Sequence, residues 1–162
     1  MIRASVCGAA LVAAAVAGSG WLMDPVQHVT MTVELAANVP RVYQLVADPA
    51  QPWRTDLQRV EVRDRSSWVE VPSHGAPVSF RRTVADEGRR FAVSFSGEGF
   101  HGTWDGRFEP AAPGRSRLTF TESVTVPSPW LRPLSRLFFG PDRAMRRYVA
   151  DLEQAVRSTG GV

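Results

Sequence analysis

The chain has 162 residues, 44% apolar and 22% charged, values that suit one globular domain and exclude a disordered chain. Its net charge is +3, and all 19 basic residues are arginines, scattered singly or as the pairs Arg81-Arg82, Arg89-Arg90 and Arg146-Arg147. With no basic stripe interleaved with aromatics and no recognisable module, a nucleic-acid partner is not expected. Cys7 is the only cysteine, which excludes an internal disulfide and a cysteine-rich metal site.

After Arg3, residues 4–23 carry no charge. A helix of that length spans a hydrocarbon core of about 30 Å, at a rise of about 1.5 Å per residue. One expectation for residues 1–23 is a retained membrane anchor, with Trp21 before Asp24-Pro25 as its interfacial residue. A second is a cleaved signal peptide, with Arg3 as the charged region, Ala9 to Val16 as the apolar region and Ala15-Val16-Ala17 as the cleavage site. A buried N-terminus is the third. The first two export the domain, held at the membrane on the periplasmic or extracellular side, or secreted if the segment is cleaved.

His28 to Leu35 alternates apolar and polar residues, the pattern of a first strand. Asn38-Val39-Pro40 then starts a helix carrying Val42, Tyr43, Leu45 and Val46, which Asp48-Pro49 stops. A second short helical or turn segment follows around Trp53. Strands are predicted over Leu57 to Arg63, Trp68 to Val71 and Val78 to Val84. Further strands carry Phe91, Val93 and Phe95, then Trp104, Gly106 and Phe108, then Leu118, Phe120, Glu122 and Val124, each on one face. The turns between them, such as Asp86-Glu87-Gly88, are tight, so the sheet is antiparallel with about seven strands. After Pro127, Pro129 and Pro133 the period becomes helical: Leu134, Leu137, Phe138, Met145, Tyr148, Val149, Leu152 and Val156 form one apolar stripe. Gly140-Pro141 interrupts that stripe, predicting a kink or a short helix from Trp130 to Phe139 followed by a main helix from Asp142 to Ser158. Residues 158–162 read as a tail.

This order of elements resembles the SRPBCC superfamily, which includes START lipid-transfer domains and polyketide cyclase/dehydrase-like proteins. The likeness lies in Val29 to Val46, in Gly102-Thr-Trp-Asp-Gly-Arg-Phe-Glu-Pro110, in Ser116-Arg-Leu-Thr-Phe-Thr-Glu122, and in Phe138 through Tyr148 to Leu152. It covers residues 28–157, and a subgroup with an N-terminal hydrophobic helix resembles the chain end to end. The resemblance implies an α+β helix-grip fold: a curved antiparallel sheet, two short helices, and a long C-terminal helix closing over an interior volume. Departures are the missing second tryptophan after Pro52-Trp53 and the Gly140-Pro141 break.

In the superfamily that interior holds apolar ligands. On the strands the corresponding candidates are Trp68, Phe80, Phe95, Trp104, Phe108 and Phe120, with Glu122 beside them. On the helical side they are Leu137, Phe138, Met145 and Tyr148. Glu122 is the anomaly, a carboxylate on an apolar face. Buried and unpaired, it would have a raised pKa and could serve as a general acid or base. The competing reading is a structural ion pair, with Arg82 as the natural partner and Arg107 or Arg143 as rivals. His28, His74 and His101 are far apart, and no phosphate loop, zinc motif or catalytic triad stands out, so no metal or cofactor is expected. The first functional expectation is a membrane-tethered or exported binding module for a hydrophobic small molecule, whether lipid, isoprenoid or polyketide-like. An alternative is a cyclase or dehydratase using Glu122; another is a non-catalytic envelope interaction protein with a filled core.

Overall fold

The computed structural model describes residues 20–133, 135 and 141–158. Its order is β1 (Val26–Leu35), α1 (Val39–Ala47), β2 (Leu57–Val62), β3 (Ser67–Pro72), β4 (Val78–Asp86), β5 (Arg90–Gly97), β6 (Phe100–Ala112), β7 (Arg115–Thr125) and α2 (Pro141–Ser158). The seven strands form one antiparallel sheet in the order β1-β7-β6-β5-β4-β3-β2. Only the β1–β7 pairing is non-sequential, so every other neighbour is reached by a short connection. This is the helix-grip fold.

Period-two alternation decides which face is buried. Leu118 and Phe120 of β7 are buried, and Phe108 and Gly106 of β6 oppose them in register. The other face of the same strands is polar and solvated. There Thr30 bonds Thr121 at 2.9 Å, Thr32 bonds Thr119 at 3.0 Å, and the His28 ring bonds the Ser123 hydroxyl at 2.7 Å. These cross-strand pairs pin the β1–β7 register, because a one-residue slip would carry them into the core.

Both helices lie on the apolar face. In α1 the Asn38 side chain accepts from the Arg41 N–H at 3.2 Å, and Val42, Tyr43 and Val46 point inward. Tyr43 meets the Phe108 ring edge-on at 5.2 Å. Leu152 and Val156 of α2 complete this core. Pro141 opens α2, one residue earlier than the sequence predicts; at the first helical position its missing N–H removes no bond. Residues 132, 133 and 135 are helical, and the rest of the predicted leading piece through Phe139 lies outside the described residues.

Between α1 and β2 the predicted second segment is made of turns, not a helix. Pro49 and Pro52 have no N–H to give, and Gln51 adopts φ 39°. The turns are nonetheless fixed. The Trp53 indole donates to the Leu45 carbonyl at 3.0 Å, and Thr55 donates from its N–H and its hydroxyl to Asp151 of α2, each at 2.8 Å.

The described chain enters at Gly20. The Arg132 guanidinium donates to the carbonyls of Gly20, Met23, Val126 and Pro127, which ties the lead-in of β1 to the Pro-rich corner. Trp21, Leu22, Trp130 and Leu131 are exposed beside this tie. No helix among the described residues is long and apolar enough to cross a membrane, and residues 1–19 of the predicted anchor lie outside them.

Asp151 is buried and accepts the hydrogen bonds that Thr55 of the loop gives to α2. Asp151→Ala, which strands the Thr55 N–H, is expected to cost about 2 kcal/mol. Asp151→Asn, which keeps one acceptor, should cost less. Urea midpoints of the three proteins measure this; equal midpoints would show that the clamp contributes nothing.

Candidate functional site

The sheet and α2 do not close completely. Between them lies a cavity of about 230 Å³. Its apolar wall follows from the strand registers. Trp68, Phe80 and Phe95 stand side by side across β3, β4 and β5, the first two rings stacked at 5.5 Å and 7°. Trp104 of β6 stacks on Phe120 of β7 at 5.6 Å. Gly106 makes that possible, because a Cβ there would fall 2.4 Å from the Trp104 ring. Met145 and Tyr148 of α2 form the opposite wall, with Tyr148 against both Trp104 and Phe120.

The cavity has one polar side. Glu122 lies opposite Trp104 in the β6–β7 register and lines the cavity. Its carboxyl makes no hydrogen bond or ion pair with any described residue. Burial pushes its pKa up to about 7, against a weaker opposing pull from the Arg54 charge. The predicted partner was Arg82. The structure corrects this: Arg82 is placed where its charge acts on Tyr43, while Arg107 and Arg143 are exposed. The cation that Glu122 feels is Arg54, from the turns after α1.

Arg54 is already committed. Its Nε and Nη2 donate to the two oxygens of Asp56, each at 2.7 Å. Its Nη1 donates to the Gln51 side chain at 3.1 Å and lies 3.6 Å from Glu70. Its guanidinium carbon sits 5.3 Å from the centre of the Tyr148 ring. Glu70, buried on β3, accepts from the Trp68 indole at 3.1 Å. Burial raises the Glu70 pKa, with Arg54 opposing. Asp56 is held below the ordinary carboxylate range: its burial is outweighed by the hydrogen bonds and charge of Arg54.

Of the predicted lining residues, Trp68, Phe80, Phe95, Trp104, Phe120, Glu122, Met145 and Tyr148 meet in this cavity. Phe108 does not; it shares their face but lies under α1, in the core against Tyr43. Leu137 and Phe138 lie outside the described residues. Arg54, Asp56 and Glu70 were not foreseen. Glu70 carried the same signal as Glu122, a carboxylate two residues from a buried aromatic on one strand.

The family model described as polyketide cyclase / dehydrase and lipid transport matches residues 26–157. The chain belongs to that family. No curated protein matches it. Solved structures share the family fold at low identity. A conserved protein from Geobacillus kaustophilus superposes with a TM-score of 0.70 at 13% identity, over 82% of this chain and 97% of that one. A START superfamily protein from Mycobacterium smegmatis gives 0.64 at 18%, over 81% and 97%. Norcoclaurine synthase from Thalictrum flavum, a point mutant in complex with a transition-state analogue, gives 0.63 at 11%, over 84% and 97%. At these identities the likeness is one of fold, and the family's cavity is lined here by this chain's own residues.

The raised pKa of Glu122 has a stability consequence. Its ordinary value is 4.5 and its folded value about 7. The folded state therefore favours the protonated carboxyl. That stabilisation is complete below pH 4.5 and is lost as pH rises to 7, amounting to about 3 kcal/mol. Glu122→Gln should flatten this part of the stability–pH profile. An unchanged slope in urea denaturation between pH 4.5 and 7.5 would show that the carboxyl is not desolvated.

Proposed function

We propose that this protein is an exported or membrane-tethered binding module that holds a compact hydrophobic molecule between the sheet and α2. The observation that carries the reading is the cavity itself, with aromatic walls on strands and helix and a polar side at Glu122. Its 230 Å³ is somewhat larger than the roughly 150 Å³ cavity known to admit benzene, and below the roughly 300–1,000 Å³ of pockets for drug-sized ligands. A ligand of one or two fused rings suits that space; a two-chain phospholipid does not. An envelope interaction protein with a filled core is disfavoured by the same volume.

A second reading, a cyclase or dehydratase, has one observation in its favour. Glu122 lines the cavity, where burial pushes its carboxyl pKa up to about 7, a value suited to a general acid or base. On that reading the full chain converts a short poly-β-ketone, and Glu122→Gln lowers kcat by at least about a hundredfold with a smaller change in KM.

The tether rests on the uncharged run of residues 4–23. The full chain is expected to sediment with membranes after carbonate washing, with its domain cleaved by protease added outside spheroplasts. Recovery of a shortened chain in the medium would identify a cleaved signal instead.

The binding reading is tested by titrating the full chain with naphthalene and following tryptophan fluorescence, to which Trp68 and Trp104 contribute directly. Saturable quenching is expected. Ala144→Phe, at an exposed residue of α2 that lines the cavity, should weaken it by about tenfold or more by filling the mouth without adding a fluorescent indole. Quenching that is linear in naphthalene, or indifferent to Ala144→Phe, would remove the cavity as the binding site.

A further inference from the structure

The polar side of the cavity has a definite charge. Three carboxyl groups, Asp56, Glu70 and Glu122, line it, against the single guanidinium of Arg54. The guanidinium charge is already met inside the protein. Three of its five N–H bonds go to Asp56 and Gln51, and Glu70 lies 3.6 Å from its Nη1. An entering anion would have to displace Asp56 or sit beside uncompensated carboxylates. Glu70 has one oxygen taken by the Trp68 indole and faces Arg54 with the other. Glu122 alone is unspent, since no described residue hydrogen-bonds it. It offers acceptor oxygens next to the stacked rings of Trp104 and Phe120. A carboxyl that accepts hydrogen bonds, placed beside aromatic faces, is the surrounding that an ammonium group prefers: the acid supplies the counter-charge and the rings attract the cation.

We propose that the cavity selects an aromatic amine, its ring system between Trp104, Phe120 and Tyr148 and its ammonium on Glu122, and discriminates against the corresponding carboxylate. This deepens the binding reading above and rests on the cavity being a ligand site. It narrows the ligand from any hydrophobic small molecule to one with a hydrogen-bond-donating, cationic head, and it sets fatty acids and other apolar carboxylates aside.

The test is a matched series on one skeleton: naphthalene, 2-(1-naphthyl)ethylamine, 2-(1-naphthyl)ethanol and 1-naphthylacetate, each titrated into the full chain by calorimetry at pH 7.5. The amine should bind about tenfold or more tighter than the acetate, with the alcohol between them. In Glu122→Gln the amine-to-alcohol affinity ratio should fall to about one, and Glu122→Asp should restore part of it. Naphthalene that binds while the acetate matches or exceeds the amine would overturn the selectivity and leave the cavity as a ligand site. An amine preference that survives in Glu122→Gln would also overturn it. Failure of all four compounds to bind would overturn both the selectivity and the binding reading beneath it.

Discussion

Three consecutive residues, Arg54-Thr55-Asp56, join the parts that make the cavity. Thr55 grips Asp151 on α2, which sets the helix against the loop. Asp56 holds the Arg54 guanidinium in a fork of two short hydrogen bonds. Arg54 in turn lies against the Tyr148 ring and faces Glu70. Loop, helix and sheet thus meet at one charged group. A cation so enclosed is tolerable only when paired and hydrogen-bonded on several sides, as this one is. Remove Asp56 and the guanidinium must find water or another anion; Glu122 is the unpaired carboxyl within its field.

An interior volume is costly to keep. Space left beside apolar side chains forfeits the contacts that a filling side chain would have made. Phe108, Leu118 and Leu152 pack in the core beneath α1. The cavity keeps its space because the rings lie in stacked arrays. Gly106 leaves room for the Trp104 ring, and Gly102 leaves room for Phe95, whose ring lies 2.5 Å from where a Cβ would be. At both positions a side chain would strike a ring of the wall, so the ring arrays require glycine there.

Most of the architecture was legible in the sequence because period and turn chemistry are local. The strands, their faces and the long C-terminal helix follow from alternation, and Glu122 stood out for breaking it. Which half of the apolar face is core and which is cavity is not local. Phe108 and Trp104 share a strand and a face, yet one packs on Tyr43 and the other lines the cavity, according to where α1 sits. Arg54 was invisible for a related reason: a turn has no period, so nothing in Pro52-Trp53-Arg54 says where the side chain points. The Arg82 pairing failed although Arg82 stays in register opposite Val93: sharing a face does not fix how far along it a long side chain acts, and the Arg82 charge acts on Tyr43 of α1.

The entry of the chain and the cavity are related through the sheet. Val26 pairs with Thr125, and Thr125 pairs with His101, the neighbour of Phe100, which lines the cavity. The start of β1, the end of β7 and the start of β6 therefore sit at one end. Arg132 fastens Gly20 and Met23 to the corner at that end, and Leu131 packs close to Gly99 in the β5–β6 turn. A tether in residues 1–23 would reach the domain there, with the exposed Trp21, Leu22 and Trp130 alongside. The end of the sheet nearest the bilayer would then be the one bearing Phe100. Glu122 lies two residues along β7 from Val124, which pairs with Gly102, so the polar side of the cavity is set back from that end.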